Sequence, residues 1–311
     1  MAAALSMLIF DMRKFLVKLA IFFGLFVGLD FTFGRICNYM FQHAKGGDTR
    51  AMNVLIQESE RDILVMGSSR AHCHYDDQRI EDSLGVSCYN AGVEGNGIIM
   101  MYGIYKLMEH KPRIILYDVE PSFDIYEYNE DKHNSRYISL LKFYNSVEIR
   151  DIIRQVDPSL EYKNLSGFYR YNTKFITVFK DFFIVSPLNA YGYEPVYGEI
   201  TEVPAPRENQ EPLLDNTKYH FFVQFINDTK KDGVQLIILA SPKYGDDGGL
   251  LEPIRNLCAQ EEVPFLDFSS EERFQKIDYF KEPMHMNNVG AEMYTLDVIN
   301  YLRHYESVET D

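Results

Sequence analysis

The 311-residue chain has no tryptophan, only four cysteines and 19 glycines, and no excess of basic charge. Each shortage excludes something. Cys37, Cys73, Cys88 and Cys258 are too few and too scattered for a disulfide scaffold. None forms a C-x-x-C pair, so zinc-ribbon and thioredoxin-type readings drop out. Lys+Arg number 31 against 46 Asp+Glu, a net charge of −15. A chain this acidic, with no basic block, is not expected to bind nucleic acid, because phosphate contacts dominate that affinity. No fixed-period repeat is visible. What remains is ordinary: 46% hydrophobic and 25% charged residues, which excludes disorder, collagen and a bare coiled coil. A chain of this length can bury a full core without staples.

The longest apolar run covers residues 15–34, with only Lys18 and Asp30 charged. About 20 such residues span a bilayer as a helix. Arg13, Lys14 and Lys18 lie at its N-terminal end, so the positive-inside rule predicts a cytoplasmic N-terminus and an extracytoplasmic remainder, periplasmic or on the outer face of the inner membrane. Asp30 stands near the outer end, where polar groups cost less than at the centre. Two rival readings are a cleaved secretory signal and a buried core helix. A signal is poorly matched by Arg35-Ile36-Cys37, which lacks a small-x-small site. Beyond the run, residues 35–311 carry 28 basic and 44 acidic side chains, which should not attract anionic lipid headgroups.

Five β-rich runs follow, at residues 62–66, 86–90, 113–118, 234–240 and 263–267. The first, third and fourth are nearly continuous hydrophobic stretches, as expected of strands buried on both faces. Helical patterns at 76–84, 97–110, 215–232, 249–262 and 289–304 separate or follow them. This alternation predicts an α/β fold with a five-stranded parallel sheet and helices on both faces. In such sheets function collects at the carboxyl ends of the strands. Residues 123–214 interrupt the rhythm and are rich in Tyr and Phe, with Tyr126, Tyr128, Phe168 and Tyr169 among them. Pro187, Pro195, Pro204, Pro206 and Pro212 punctuate the second half of the stretch. It is expected to be an inserted, aromatic-rich subdomain that packs as a cap over the functional edge. The domain expectation is therefore a cytoplasmic stub and anchor at 1–36, an α/β domain at 37–311, and the insertion at 123–214 within it.

Three stretches carry candidate chemistry. Strand one ends in Gly67-Ser68-Ser69-Arg70, where a glycine lets the chain turn sharply and presents a serine above the sheet. A serine there is a nucleophile only if a base reaches it. Strand two ends in Asn90-Ala91-Gly92-Val93-Glu94-Gly95-Asn96, whose glycines allow backbone N–H groups to approach developing negative charge. Near the C-terminus, Glu282 precedes His285 by three residues, so a base and an orienting carboxylate could face one site.

Taken together and in this order, the three stretches resemble the blocks of the SGNH/GDSL hydrolase superfamily over about residues 60–305. The Gly-Asp-Ser block is matched by Gly67-Ser68-Ser69, the N-x-G-x-x-G-[DN] block by residues 90–96, and the Asp-x-x-His block by Glu282-Pro283-Met284-His285. The G-S-S-R-[AS] form with an N-terminal anchor is similar to membrane-anchored members that serve cell-envelope acyl transfer. The resemblance implies a flavodoxin-like three-layer α/β/α sandwich. It implies Ser69 as nucleophile, His285 as general base and then acid, Glu282 as its orienting carboxylate, and the backbone N–H groups of Ser69 and Gly95 as oxyanion donors. Two departures stand out. Glutamate replaces the usual aspartate at position 282. The Gly-x-Asn-Asp block after strand three is missing, and Asp118-Val119-Glu120-Pro121-Ser122 stands there instead. Ser122 is the nearest polar substitute for the absent asparagine donor.

Further pocket candidates are Asn96, Asp118, Lys243 and Arg70, the last of which could instead pair with Asp118 or Glu120. His72, Cys73 and His74 with Asp76 and Asp77 could be read as metal ligands, but no second ligand cluster accompanies them. No metal or cofactor is expected. Cys73 and Cys88 could form a disulfide or remain packed thiols. The expected function is an anchored extracytoplasmic serine esterase or O-acyltransferase acting on acyl esters, acetyl foremost, of envelope glycans. Its partners would be an acylated carbohydrate or acyl donor and the membrane. The alternatives are a degenerate domain serving an integral-membrane acyltransferase as accessory subunit, and, more remotely, a metal-dependent phosphoesterase.

Overall fold

The computed structural model describes residues 2–57, 60–127, 132–172, 174–185, 192–201, 212–245 and 248–309. Tyr128, Pro187, Pro204 and Pro206 of the expected insertion lie outside these. The chain divides into two compact units, residues 1–50 with 157–186, and residues 51–156 with 187–311. The segment 123–214 is thus shared between the two units rather than forming one body.

The first unit is helical. Its long helix α1 (Ala2–Gln42) extends well past the apolar run at 15–34. Apolar side chains from Phe15 to Phe31 are exposed along it, which removes the reading of this segment as a buried core helix. The helix is long and apolar enough to cross a membrane. Its last turns are packed differently: Cys37, Met40 and Phe41 are buried. With α1 go three short helices, α8 (Leu160–Lys163), α9 (Gly167–Tyr171) and α10 (Phe175–Phe183). Asp30 makes the join. Its carboxylate accepts hydrogen bonds from Ser166 Oγ at 2.8 Å, Gly167 N at 3.0 Å and Phe168 N at 2.8 Å. A side chain of α1 therefore satisfies the orphan N–H groups at the start of α9, the task usually done by a local N-cap. Gly34 and Gly167 let the two backbones meet; a Cβ on Gly167 would lie 2.5 Å from Asp30 O and 2.6 Å from Gly34 Cα. At the far end, Asp181 O accepts from Lys45 N (2.8 Å) and Gly46 N (3.0 Å), and Asp181 Oδ2 accepts from Thr49 N (3.1 Å).

Helix α2 (Gly47–Gln57) leads into the second unit. There the chain runs β1 (Ile63–Gly67), α3 (Ser69–His74), α4 (Asp77–Leu84), β2 (Cys88–Asn90), α5 (Ile98–Leu107) and β3 (Ile114–Asp118). A short helix α6 (Pro121–Asp124), a two-residue strand β4 (Tyr126–Glu127), a 3₁₀ stretch (Lys132–Phe143) and α7 (Val147–Val156) follow. The return comprises β5 (Leu213–Leu214), α11 (Asn216–Lys231), β6 (Gln235–Ala240), α12 (Glu252–Gln260), β7 (Phe265–Asp267), β8 (Phe280–Glu282), β9 (His285–Met286) and α13 (Asn288–Glu309). The five expected strands are β1, β2, β3, β6 and β7, all parallel, in the order β2-β1-β3-β6-β7. With helices around it, this is the flavodoxin-like order, whose switch point lies between β1 and β3. The three central strands are hydrophobic because both faces are covered; every side chain from Ile63 to Met66 and from Ile114 to Tyr117 is fully buried.

Register aligns the ends that matter. Gly67 pairs with Asp118, and Asp118 with Leu239, so β1, β3 and β6 end level with one another. Gly67 has φ +143, and a Cβ there would lie 2.6 Å from Asp118 O, so only glycine lets β1 turn directly into α3.

The Gly34–Gly167 crossing is testable. Gly167→Leu should displace α9 from α1 at a cost of about 1–3 kcal/mol. In the detergent-solubilised full chain, limited proteolysis should then cut within residues 157–186 earlier than in the parent.

Candidate active site

Ser69 is the first residue of α3, set at the C-terminal edge of the sheet by the turn at Gly67. Its Oγ lies 2.7 Å from His285 Nε2. His285 Nδ1 is hydrogen-bonded to Glu282 Oε1. A carboxylate only accepts, so Nδ1 carries the imidazole proton and Nε2 is left as acceptor for the Ser69 hydroxyl. The i, i+3 spacing has a structural cause beyond a shared loop. Glu282 and His285 are cross-strand partners in the β8–β9 hairpin, with Pro283 and Met284 as its turn. Partners placed directly opposite present their side chains on the same face. His285 is 26% and Glu282 48% exposed, so the pair faces water on one side.

Behind Ser69 lies a buried polar network. Arg70, only 2% exposed, spans three strand ends. Its Nη1 donates to Glu120 Oε2 at 2.8 Å, its Nη2 to Ser241 O at 2.9 Å, and its Nε to Ser241 Oγ at 3.1 Å. Asp118 Oδ2 sits 3.4 Å from Nε, an ion-pair contact rather than a hydrogen bond. Asp118 Oδ1 accepts from Tyr75 Oη and from Ser241 N, each at 2.9 Å. Burial pushes the Asp118 carboxyl up, and Arg70 pulls it back. Arg70 and Asp118, read from the sequence as pocket candidates, are thus engaged with each other beneath the site.

His74 completes this network. Met286 N donates to His74 Nε2 at 2.9 Å, so Nδ1 must hold the proton, and it donates to Ser241 Oγ at 2.9 Å. Burial, with Arg70 and His285 adding to it, drives the His74 imidazole well below its ordinary value. The two histidine rings stand edge to face, 6.3 Å apart. One is held neutral and buried, and the other is partly exposed beside a carboxylate. Other side chains of the His72–Asp77 stretch are engaged in contacts of their own. His72 pairs with Glu194 at 3.1 Å, Asp76 caps α4 through Arg79 N, and Asp77 accepts from Asn90 N and Tyr193 N. No metal-ligand grouping occurs among the described residues. All four cysteines are free and buried, which settles Cys73 and Cys88 as thiols in this structure.

The β2–α5 loop and the β3–α6 turn border the same edge. The Asn90 side chain donates to Ala71 O (2.7 Å) and Tyr75 O (2.9 Å), bracketing α3, while its Oδ1 accepts from Gly92 N (2.9 Å). A Cβ on Gly92 would lie 2.4 Å from His72 N, and one on Gly97 would lie 2.3 Å from Phe123 O, so this loop packs tightly on both α3 and α6. Gly95 takes φ +68 at the loop's apex, and Asn96 Nδ2 donates locally to Glu94 O at 3.2 Å. Ser122 gives its only O–H to Glu120 Oε1 at 2.9 Å, so acting on an oxyanion would require it to release that bond. Lys243 belongs to the turn after β6, whose Tyr244 N donates to Pro283 O at 3.0 Å and so reaches the β8–β9 turn.

Lys218 and Asp124 were not legible as site residues. Lys218 is buried on α11, with Nζ 2.5 Å from Tyr126 O and 3.3 Å from Ser122 O. Asp124 accepts from Tyr117 Oη and Glu120 N, each at 2.7 Å, and burial raises its carboxyl to about 7. Together they hold the turn that occupies the place of the missing block. The return of the insertion contributes a strap. Glu194 N bonds His72 O, Ile200 N bonds Phe280 O, and Asn288 N bonds Val196 O, so residues 193–200 lie along α3 and the β8–β9 hairpin.

No protein-family profile and no curated protein sequence matches the chain. Solved structures with some likeness include a Bacteroides fragilis protein provisionally described as an acylhydrolase. It is 11% identical with a TM-score of 0.38, covering 79% of this chain and 89% of that one. Another is the acetyl xylan esterase Est2A of the rumen bacterium Butyrivibrio proteoclasticus. It is 11% identical with a TM-score of 0.34, covering 80% of this chain and 65% of that one. Scores this low assign neither family nor activity, and the reading of the site rests on its own geometry.

Two stability measurements probe the network. Arg70→Met leaves Asp118 and Glu120 buried without their cation and should cost about 3–5 kcal/mol, read as a lower denaturation midpoint. The His74 linkage has a defined sign. Its folded value lies below its unfolded one, so unfolding takes up a proton as pH falls beneath about 6.5. Stability should decline from pH 6.5 downward in the parent, and His74→Gln should flatten that decline.

Proposed function

We propose that the chain is a serine esterase or O-acyltransferase of SGNH/GDSL type, held at the membrane by α1, with the bulk of the chain extracytoplasmic. The observation that carries the chemistry is the 2.7 Å contact between Ser69 Oγ and His285 Nε2, with Glu282 on the other ring nitrogen. A hydroxyl alone is a weak nucleophile, and this arrangement supplies the base and fixes its tautomer. Ser69 Oγ attacks an acyl ester carbonyl as its proton passes to His285 Nε2. Glu282 stabilises the imidazolium, while buried, neutral His74 adds no second positive charge beside it. His285 then returns the proton to the leaving alcohol, and an acyl-enzyme remains. Water or an acceptor hydroxyl, activated by the same histidine, resolves it. The Ser69 N–H sits at the first position of α3, where no intrahelical acceptor exists. It and the Gly95 N–H are the proposed oxyanion donors.

The anchor reading is supported by the last turns of α1. Asp30, Phe33 and Cys37 belong to the packing of the first unit, so cleavage near residue 35 would remove contacts that unit uses. Acyl esters of envelope glycans, acetyl first, are the proposed substrates, with a polysaccharide hydroxyl as acceptor if the second step is transfer. An integral-membrane acyltransferase is the proposed source of the acyl group in that case. The accessory-subunit reading would predict Ser69 and His285 out of reach of each other, and their hydrogen bond argues against it.

The test is hydrolysis of p-nitrophenyl acetate by the full chain in detergent. Ser69→Ala and His285→Ala should each lower turnover by about 10⁴-fold or more, and Glu282→Gln by less. Undiminished turnover in Ser69→Ala would remove the nucleophile assignment. A burst equal to the enzyme concentration, followed by slow turnover that a sugar acceptor accelerates, is the expected signature of a transferase.

A further inference from the structure

The surface of the first unit poses a problem that α1 alone does not solve. Helix α10 buries Val178 and Asp181, yet it leaves Phe175, Ile176, Phe179 and Phe183 exposed on one stripe at helical spacing, continued by Ile184 and Val185. Ile176 is 68% and Phe179 57% exposed. A contiguous apolar face of this kind on a soluble surface marks a contact with something else.

We infer that α9 and α10 are seated in the membrane leaflet at the C-terminal end of α1, with the exposed α10 stripe against lipid acyl chains. This inference rests on the reading of α1 as a membrane-spanning anchor. The first argument is depth. The Phe168 ring of α9 stacks on Phe33 at 4.6 Å and reaches Phe26 at 6.3 Å. Phe26 lies ~12 Å below Gly34 along the helix axis, at 1.5 Å per residue. Any placement that puts the 15–34 run in hydrocarbon therefore brings the start of α9 to the same depth. The second is polar satisfaction. In hydrocarbon, backbone N–H groups without partners are costly. Asp30 answers the N–H groups of Gly167 and Phe168 from within the apolar helix, and in turn its own carboxylate is satisfied. The third is continuity. The exposed apolar side chains of α1 between Phe15 and Phe31 and those of α10 belong to the same unit, joined through Phe168, Phe33 and Phe175, the last two 6.2 Å apart. The fourth is charge. Residues 1–50 and 157–186 hold 10 Lys/Arg and 6 Asp/Glu, whereas the other unit holds 21 and 40. The acidic surplus of the protein is excluded from the unit assigned to lipid, and exposed Lys174 and Lys180 flank the stripe with stems long enough to snorkel.

The absence of tryptophan from the chain supplies the probe. Single variants Phe179→Trp, Leu25→Trp and Leu296→Trp of the full chain would be reconstituted in dioleoylphosphatidylcholine vesicles, with and without bromine on the acyl chains. Leu25 marks the proposed span and Leu296 an exposed face of α13. The expected result is a blue-shifted emission and a roughly twofold or greater loss on bromination at positions 25 and 179, as for an apolar face buried in the headgroup–acyl boundary, and none at 296. Quenching at 25 without quenching at 179 overturns the seating of α10 and leaves the anchor intact. Emission at 179 that is blue-shifted but unquenched assigns the stripe to a protein surface, such as a second copy of the chain, and also overturns it. Failure of quenching at 25 overturns the anchor and this inference together. The esterase measurement with Ser69→Ala is independent of all three outcomes.

Discussion

A buried guanidinium organises the sheet's carboxyl edge. Arg70 is almost wholly removed from water, so its donors must be answered by protein, and they are answered by the ends of β3 and β6. The consequences propagate through covalent neighbours. Arg70 is bonded to Ser69 in the chain and hydrogen-bonded to Ser241; Ser241 holds His74, His74 holds the Met286 N–H, and Met286 adjoins His285, which returns to Ser69. Ser69 and His285 are thus joined by a closed ring of contacts, only one of which is the hydrogen bond between them. A ring of this kind fixes their separation without relying on the partly exposed Glu282, whose own attraction to His285 is screened by solvent.

The ring also explains why two histidines stand so close without competing. Complete burial and a backbone N–H donor keep His74 an acceptor at Nε2, hence neutral. His285, by contrast, is partly exposed and has a carboxylate at Nδ1. The same residue type is divided into a positioning role and the proposed catalytic role by dielectric and partner alone. In the proposed mechanism an imidazolium forms on the His285 ring, 6.3 Å from that of His74, and a neutral His74 accommodates it more easily than a charged one.

In the first unit, Asp30 has the corresponding place. A carboxylate in an apolar run looks like a defect in a membrane helix, tolerable only by its nearness to the interface. Its three hydrogen bonds to the start of α9 give it a different purpose: it attaches residues 157–186 to the helix that carries it. The aromatic richness of the 123–214 segment then has two explanations instead of one. The part nearest α1 supplies Phe168 and the α10 stripe, whereas residues 193–200 run beside α3 and the β8–β9 hairpin. Composition alone could not separate them, since both parts carry aromatic side chains, Phe168 and Phe179 in one and Tyr193 and Tyr197 in the other.

The five strands, their parallel sense and the helices between them were readable from hydrophobic runs and their spacing, because burial on both faces leaves a continuous apolar signature in each central strand. Gly67, Ser69, Glu282 and His285 were readable as candidates because turn geometry and nucleophile–base chemistry restrict which residue types can stand there. Other assignments depended on contacts distant in sequence. Arg70 meets Ser241 across 171 positions and Met286 meets His74 across 212, so no local pattern could show that Arg70 lies beneath the site, or that His74 serves the hairpin rather than a metal. Lys218 and Asp124, which hold the turn in place of the absent asparagine block, are polar residues whose burial has no local sequence signal. Local pattern determined which elements form and what chemistry their ends could carry. Tertiary structure decided which polar groups are buried together, because the cost of removing a charge from water depends on neighbours that only the folded chain supplies.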